Sequence, residues 1–173
     1  MEIGTHPMSL RRLLIPLAIL ALLGTLVFSV MTKNSAPNVK FTTISGEQIT
    51  MEQLRGKVVL VNFWATSCPG CIAEMPKLVE TYNRYHASGF ELVAVAMAYD
   101  PPSNVANYVK KNALPFLVAL DPQGEMAIAF NNVKLTPTAF VIDRRGRIVR
   151  NVVGELDFNA LHAMLDEQLG RPS

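Results

Sequence analysis

The sequence predicts an α/β fold, a mixed β-sheet covered by helices, with a single apolar helix ahead of it. Three observations lead there. Apolar strand-like runs alternate with helix-like segments over most of the chain, a cysteine pair sits where one such run gives way to a helix, and an uncharged stretch lies near the start. With 173 residues, 50% hydrophobic and 17% charged, the chain is long for one domain and short for two. One core domain plus an appendage fits. A net charge of +2 without a long basic run speaks against a nucleic-acid partner. The basic cluster "RRGR", Arg144 to Arg147, sits between two apolar stretches as a solvated hairpin turn.

The appendage is "LLIPLAILALLGTLVFSV", Leu13 to Val30, which as a helix spans about 27 Å, enough to cross a bilayer. Pro16 and Gly24 weaken a soluble helix and are tolerated in a membrane span. A cleaved signal peptide is the alternative, but the small-residue site that it needs is poor, "VFS" before Val30 being the best candidate. Arg11 and Arg12 precede the span and only Lys33 follows it closely, so the positive-inside rule leaves the N-terminus in the cytoplasm and exports the rest. The expected organisation is a cytoplasmic N-terminus over 1–12, a transmembrane signal-anchor over 13–31, a polar linker over 32–38 and a folded domain over 39–173. The expected location is the bacterial inner membrane, crossed once, with the domain on the periplasmic side.

Within the domain, "NVKFTTISGEQIT" reads as a hairpin and "KVVLVNFW", Lys57 to Trp64, as a strand buried on both faces. Ile72 to about Ala87 is helical, with Leu78, Val79 and Tyr82 at core spacing and Pro76 predicting a kink. "FELVAVAMA" is another buried strand, followed by a short helix capped by Ser103 over 104–112. "PFLVAL" is a third buried strand and "GEMAIAF" a helical turn or two. "TAFVID" and "RIVRNVV" pair across the arginine turn, and "DFNALHAMLDEQL" closes the chain as an amphipathic helix capped by Asp157.

The two cysteines, Cys68 and Cys71, stand in "WATSCPGC" between the end of a central strand and the start of a helix. That context matches the thioredoxin-like redox motif far more specifically than C-x-x-C alone. Cys68 falls at the N-cap and Pro69 at the first helical position, where a missing N–H costs nothing. Unpaired backbone N–H groups and the helix dipole stabilise a thiolate on Cys68, making it the attacking nucleophile. Cys71, one turn inside, is shielded and resolves the mixed disulfide. A purely structural disulfide closes too small a loop to add much stability. Zinc lacks further ligands, since His6 precedes the span and His86 and His162 share no ligand spacing with the cysteines. Copper suits soft thiolates, although exported thioredoxin-like proteins that handle it use a wider cysteine spacing and a distal histidine. No cofactor and no resident metal are expected.

From about Val39 to Leu169 the chain resembles the membrane-anchored thiol-disulfide oxidoreductases of the TlpA/ResA/DsbE group, within the redoxin (AhpC/TSA-like) class. The resemblance rests on "LRGKVVLVNFWATSCPGC", on "CIAEMP", on "LTPTAFVIDRRGRI" and on the N-terminal anchor. It implies a thioredoxin-like fold with an N-terminal β-hairpin and a central βα insertion between Phe90 and Asn112. It also implies a cis Pro137, with Thr136 and Pro137 forming a substrate-binding loop to which Trp64 and Pro69 add surface. An ordinary trans proline opening a strand is the alternative at Pro137.

Two departures from thioredoxin carry information. Asn62 replaces a buried strand Asp and Ser67 replaces a Trp, so a proton acceptor is missing from its usual place. Glu74 occupies the position of a functional Glu in the ResA-like members, and its i to i+3 spacing puts it on the helix face of Cys71. A solvated helix Glu without a role is the competing reading. The function implied is a reductant of disulfides in exported proteins such as apocytochrome c or a copper-centre assembly protein, recharged by a membrane electron donor of the DsbD/CcdA type. A thiol-based copper-handling module is the alternative.

Overall fold

The computed structural model describes residues 16–17, 19–25 and 34–170. Contacts divide the chain into two units, residues 1–35 and 36–173. In the first unit, 16–17 and 19–25 are helical and their described side chains are exposed, Leu17, Leu20 and Leu22 among them. The rest of the expected span over 13–31 lies outside the described residues, as do residues 1–12. Among the described residues no helix is long and apolar enough to cross a membrane.

The second unit is a seven-stranded mixed sheet in the order β2-β1-β5-β4-β3-β6-β7. Strands β1 (Lys40–Thr43) and β2 (Gln48–Thr50) form the N-terminal hairpin, and β1 joins the sheet antiparallel to β5 (Leu117–Leu120). The centre is the parallel trio of β3 (Val58–Trp64), β4 (Phe90–Ala96) and β5. Strand β6 (Thr138–Ile142) pairs antiparallel with β3 and with β7 (Ile148–Val153). Helices α1 (Pro69–Tyr85), α2 (Pro102–Asn112), α3 (Glu125–Ala129) and α4 (Phe158–Leu169) complete the unit.

All seven residues of both β3 and β4 are buried, as their near-continuous apolar runs, interrupted only by Asn62 and Glu91, require in strands covered on both faces. The period of two divides them. Val58, Leu60 and Trp64 join one core with Cys71, Leu78, Tyr85, Val105 and Leu161, and Val59, Val61 and Phe63 join a second with Phe41, Met126, Phe130 and Phe140. Asn62, in step with Leu60 and Trp64, therefore faces the layer of α1 and α4.

Two expectations change. The strand of the supposed insertion is no marginal addition, because β4 pairs in parallel with β3 on one side and β5 on the other. Helix α2 starts earlier than Ser103 and has Pro101 at its N-cap with no side-chain cap, because the fixed φ of Pro102 suits the first helical turn. Pro76 lies inside α1 and the helix runs on through Tyr85, as the expected continuous helix past that proline requires. The arginine turn is ordered by Asp143, whose Oδ1 accepts from the N–H groups of Arg145 and Arg147 at 2.9 Å each. The closing helix is capped as expected, Asp157 accepting from Asn159 N–H at 2.9 Å and Ala160 N–H at 3.1 Å.

Candidate active site

The site forms at the carboxyl end of the parallel strands, where ligands of α/β sheets collect. Strand β3 ends at Trp64, and four residues later Cys68 is the N-cap of α1 with Pro69 opening the helix. Cys68 is half-buried and bonded to the fully buried Cys71 as a disulfide, Cα to Cα 5.3 Å. The Cys71 N–H donates to Cys68 Sγ at 3.2 Å. An orphan donor of the first helical turn thus points at the sulfur that must carry the thiolate. Pro69 is exposed beside it.

The Thr136-Pro137 peptide is cis. Pro137 is buried against the cysteine loop, its Cδ lying 3.7 Å from the position that a Cβ on Gly70 would take, while Thr136 stays half-exposed. Glu155 crowds the same position with Oε1 at 3.1 Å. Gly70 is therefore the residue at which the cysteine turn, the proline loop and the start of α4 meet.

Glu74 is 4% exposed, which removes the reading of a solvated helix Glu. One carboxylate oxygen accepts from the backbone N–H of Leu156, and the other has no hydrogen-bond partner. Burial pushes its pKa above the ordinary value of 4.5, the Leu156 N–H pulls it down, Glu155 adds to the rise and Lys77 opposes it. Asn62 is also fully buried, and neither atom of its amide finds a partner. Two polar side chains with unused capacity thus lie in the layer that holds Cys71.

Trp64 does not meet the expectation of a substrate-binding surface residue. It is fully buried, its ring tilted against Tyr108 with centroids 5.3 Å apart, because its place on β3 turns it into the core that also holds Cys71 and leaves it no surface to offer a substrate. Sequence reading also missed Glu155, whose signal is only its place before a capped helix, and Tyr99 and Asp100, which nothing local in the sequence marks.

A thioredoxin-like sheet with a cysteine pair capping the helix after its central strand defines a thiol-disulfide oxidoreductase. The redoxin family model matches residues 31–165, and the chain belongs to that family, in its TlpA/ResA/DsbE group. It is 37% identical over 132 residues to thiol-disulfide oxidoreductase ResA of Bacillus cereus, spanning 76% of this chain and 75% of that one. The ResA of Bacillus subtilis is 31% identical over 134 residues, 78% of this chain and 74% of its own. A thioredoxin-family thiol:disulfide interchange protein from Chlorobium tepidum superposes with a TM-score of 0.72 at 30% identity, covering 79% of this chain and 97% of that one.

Proposed function

We propose that this oxidoreductase is a reductant, delivering electrons to disulfides of exported proteins of the cytochrome c maturation or copper-centre assembly type. The observation that carries the direction is the buried Glu74 carboxylate on the Cys71 face of α1. A negative charge there disfavours both thiolates and so favours a dithiol that gives up its electrons readily. Pro69 and Gly70 add no histidine that would stabilise the Cys68 thiolate and make the pair an oxidant.

In the reaction, the Cys68 thiolate attacks one sulfur of a substrate disulfide. The substrate S–S bond breaks, a Cys68 mixed disulfide forms, and the departing substrate thiolate takes a proton from solvent. Cys71 then loses its proton to the free oxygen of Glu74, directly or through a water, and its thiolate attacks Cys68 Sγ. The mixed disulfide breaks, the Cys68–Cys71 disulfide forms, and the second substrate sulfur leaves as a thiolate. Two electrons have passed to the substrate, and a membrane dithiol donor of the DsbD/CcdA type returns two to the enzyme.

Thr136 and Pro137, with the exposed Pro69, are the surface on which an extended substrate segment lies. The exposed apolar side chains of Leu17, Ile19, Leu20, Leu22 and Leu23 support an anchor in the inner membrane, and Arg11 and Arg12 ahead of them support a catalytic domain on its outer side. A copper-handling module has less support, since His162 is engaged with Thr81 at 2.9 Å and His86 follows the far end of α1.

A glutathione titration of the Cys68–Cys71 couple is expected to place its potential nearer the thioredoxin value of about −270 mV than the DsbA value of about −120 mV. A potential above roughly −150 mV makes the protein an oxidant and reverses the direction. Replacing Cys71 with Ser should trap substrates on Cys68 as mixed disulfides that mass spectrometry can name.

A further inference from the structure

The connection between β4 and α2 sends two consecutive side chains to the two loops of the site. Asp100 is 5% exposed and spends both oxygens on one residue. Its Oδ2 accepts from the Thr66 N–H at 2.6 Å and its Oδ1 from the Thr66 hydroxyl at 2.6 Å. Thr66 lies two residues before Cys68, inside a turn that the Cys68 N–H closes by donating to the Ala65 carbonyl at 3.1 Å. Holding Thr66 therefore holds the backbone of the nucleophile.

Tyr99 reaches the other way. Its hydroxyl is hydrogen-bonded to Thr136 Oγ1 at 3.2 Å while 58% of the residue stays exposed, leaving the ring beside the substrate loop. The connection itself is anchored, because the Met97 N–H donates to the Trp64 carbonyl at 3.0 Å and the Asp100 N–H to the Met97 carbonyl at 2.9 Å. Short, charge-assisted bonds made away from water resist displacement. The exposed side chains of Leu135 and Val153, 66% and 62% accessible, flank the Thr136 loop with apolar surface fit for a polypeptide.

We propose that Tyr99 and Asp100 are positioning residues, a two-armed clamp that sets the spacing between Cys68 and the Thr136-Pro137 loop and thereby favours polypeptide disulfides over small ones. A polypeptide must lie on the loop while its sulfur meets Cys68, so it feels that spacing. A small disulfide needs only Cys68. This rests on the reductant reading above, and the clamp can fail while that reading stands.

The test compares the full chain, reduced, in two reactions: with a short linear peptide carrying one disulfide, and with 2-hydroxyethyl disulfide. Tyr99→Phe removes only the Thr136 arm, and Asp100→Ala only the Thr66 arm. Misplacement by about an ångström costs up to about a hundredfold, so the ratio of peptide rate to small-disulfide rate is expected to fall by about five- to a hundredfold in each. Asp100→Asn can offer its oxygen to the Thr66 N–H and its amide N–H to the Thr66 hydroxyl, and is expected to restore the ratio to within about twofold. A ratio unchanged in Tyr99→Phe, or a loss in Asp100→Ala that Asn does not restore, overturns the clamp. An unmodified protein that reduces neither substrate defeats the reductant reading and takes the clamp with it.

Discussion

Glu74 is the residue on which burial, proton affinity and redox direction meet. Its folded-state pKa is raised, so the folded protein holds that proton after the unfolded chain has released it. Its contribution to stability is complete below the ordinary value of 4.5 and is lost as pH rises through the folded value. Glu74→Gln should lack that fall. Urea unfolding at about pH 4 and about pH 7 is expected to show a smaller loss on going to neutral pH for the variant than for the parent. The same variant should lower the Cys68 pKa and slow reduction of a model disulfide, within the roughly hundred- to ten-thousand-fold range usual for a lost acid or base. A pKa and rate that match the parent would assign the Cys71 proton to another group. Glu155→Gln is the milder probe. It removes a charge that raises the Glu74 value, so the Glu74 carboxyl followed by NMR should titrate lower than in the parent. The cysteines differ as sharply: Cys68, half-buried at the helix N-terminus, should react with iodoacetamide in the folded, reduced protein, and Cys71 only after unfolding. Of this site, Cys68, Cys71 and Pro137 are legible in the chain because short motifs carry them. The depth of Glu74, the burial of Trp64 and the approach of Glu155 to Gly70 depend on packing between elements distant in sequence.

Elements decide how α4 reaches the site. Its N-cap, Asp157, stands one residue after Leu156, whose N–H holds Glu74, so the helix start fixes a group that tunes the dithiol. Asp157→Ala is expected to cost about 1 kcal/mol in thermal or urea unfolding, the usual effect of a lost cap. Further along the helix, His162 packs on Tyr85 and shares a hydrogen bond with Thr81 of α1. Burial lowers its pKa first and Arg84 adds to this, so protonation below the ordinary value of 6.5 works against the folded state. Stability from this group rises with pH up to that value and falls on acidification, and His162→Gln should blunt the acid loss. Strands β3 and β4 and helix α4 can be read from the sequence because near-continuous apolar runs and an Asp cap are local signals. The start of α2 is less plain: Ser103 looks like a cap, yet Pro102 already satisfies the first turn. Nor could a largely apolar run of seven residues say that β4 sits between β3 and β5, since pairing partners are set by the whole sheet.

For the whole molecule, the proposed export raises the question of how a dithiol would stay reduced where disulfides persist. Outside the cytoplasm a reducing pair needs a dedicated source of electrons, and the proposed membrane anchor would keep the domain near one. We propose that orientation on electrostatic grounds: Arg11 and Arg12 lie before the apolar stretch and Lys33 alone lies close behind it, a bias that would retain the cationic side in the cytoplasm and export the folded domain. The apolar side chains of Leu17, Ile19, Leu20, Leu22 and Leu23 are all exposed, which fits the proposed lipid-facing anchor. A reporter that is active only after export, joined after Ser173, is therefore expected to be active, and the protein to pellet with membranes. Swapping the bias, with Arg11 and Arg12 replaced by Ser and two arginines placed after Lys33, should retain the domain in the cytoplasm and silence the reporter. An active reporter in the swapped chain would separate orientation from these charges, and a soluble product beginning near Val30 would show that the stretch is cleaved rather than kept as an anchor.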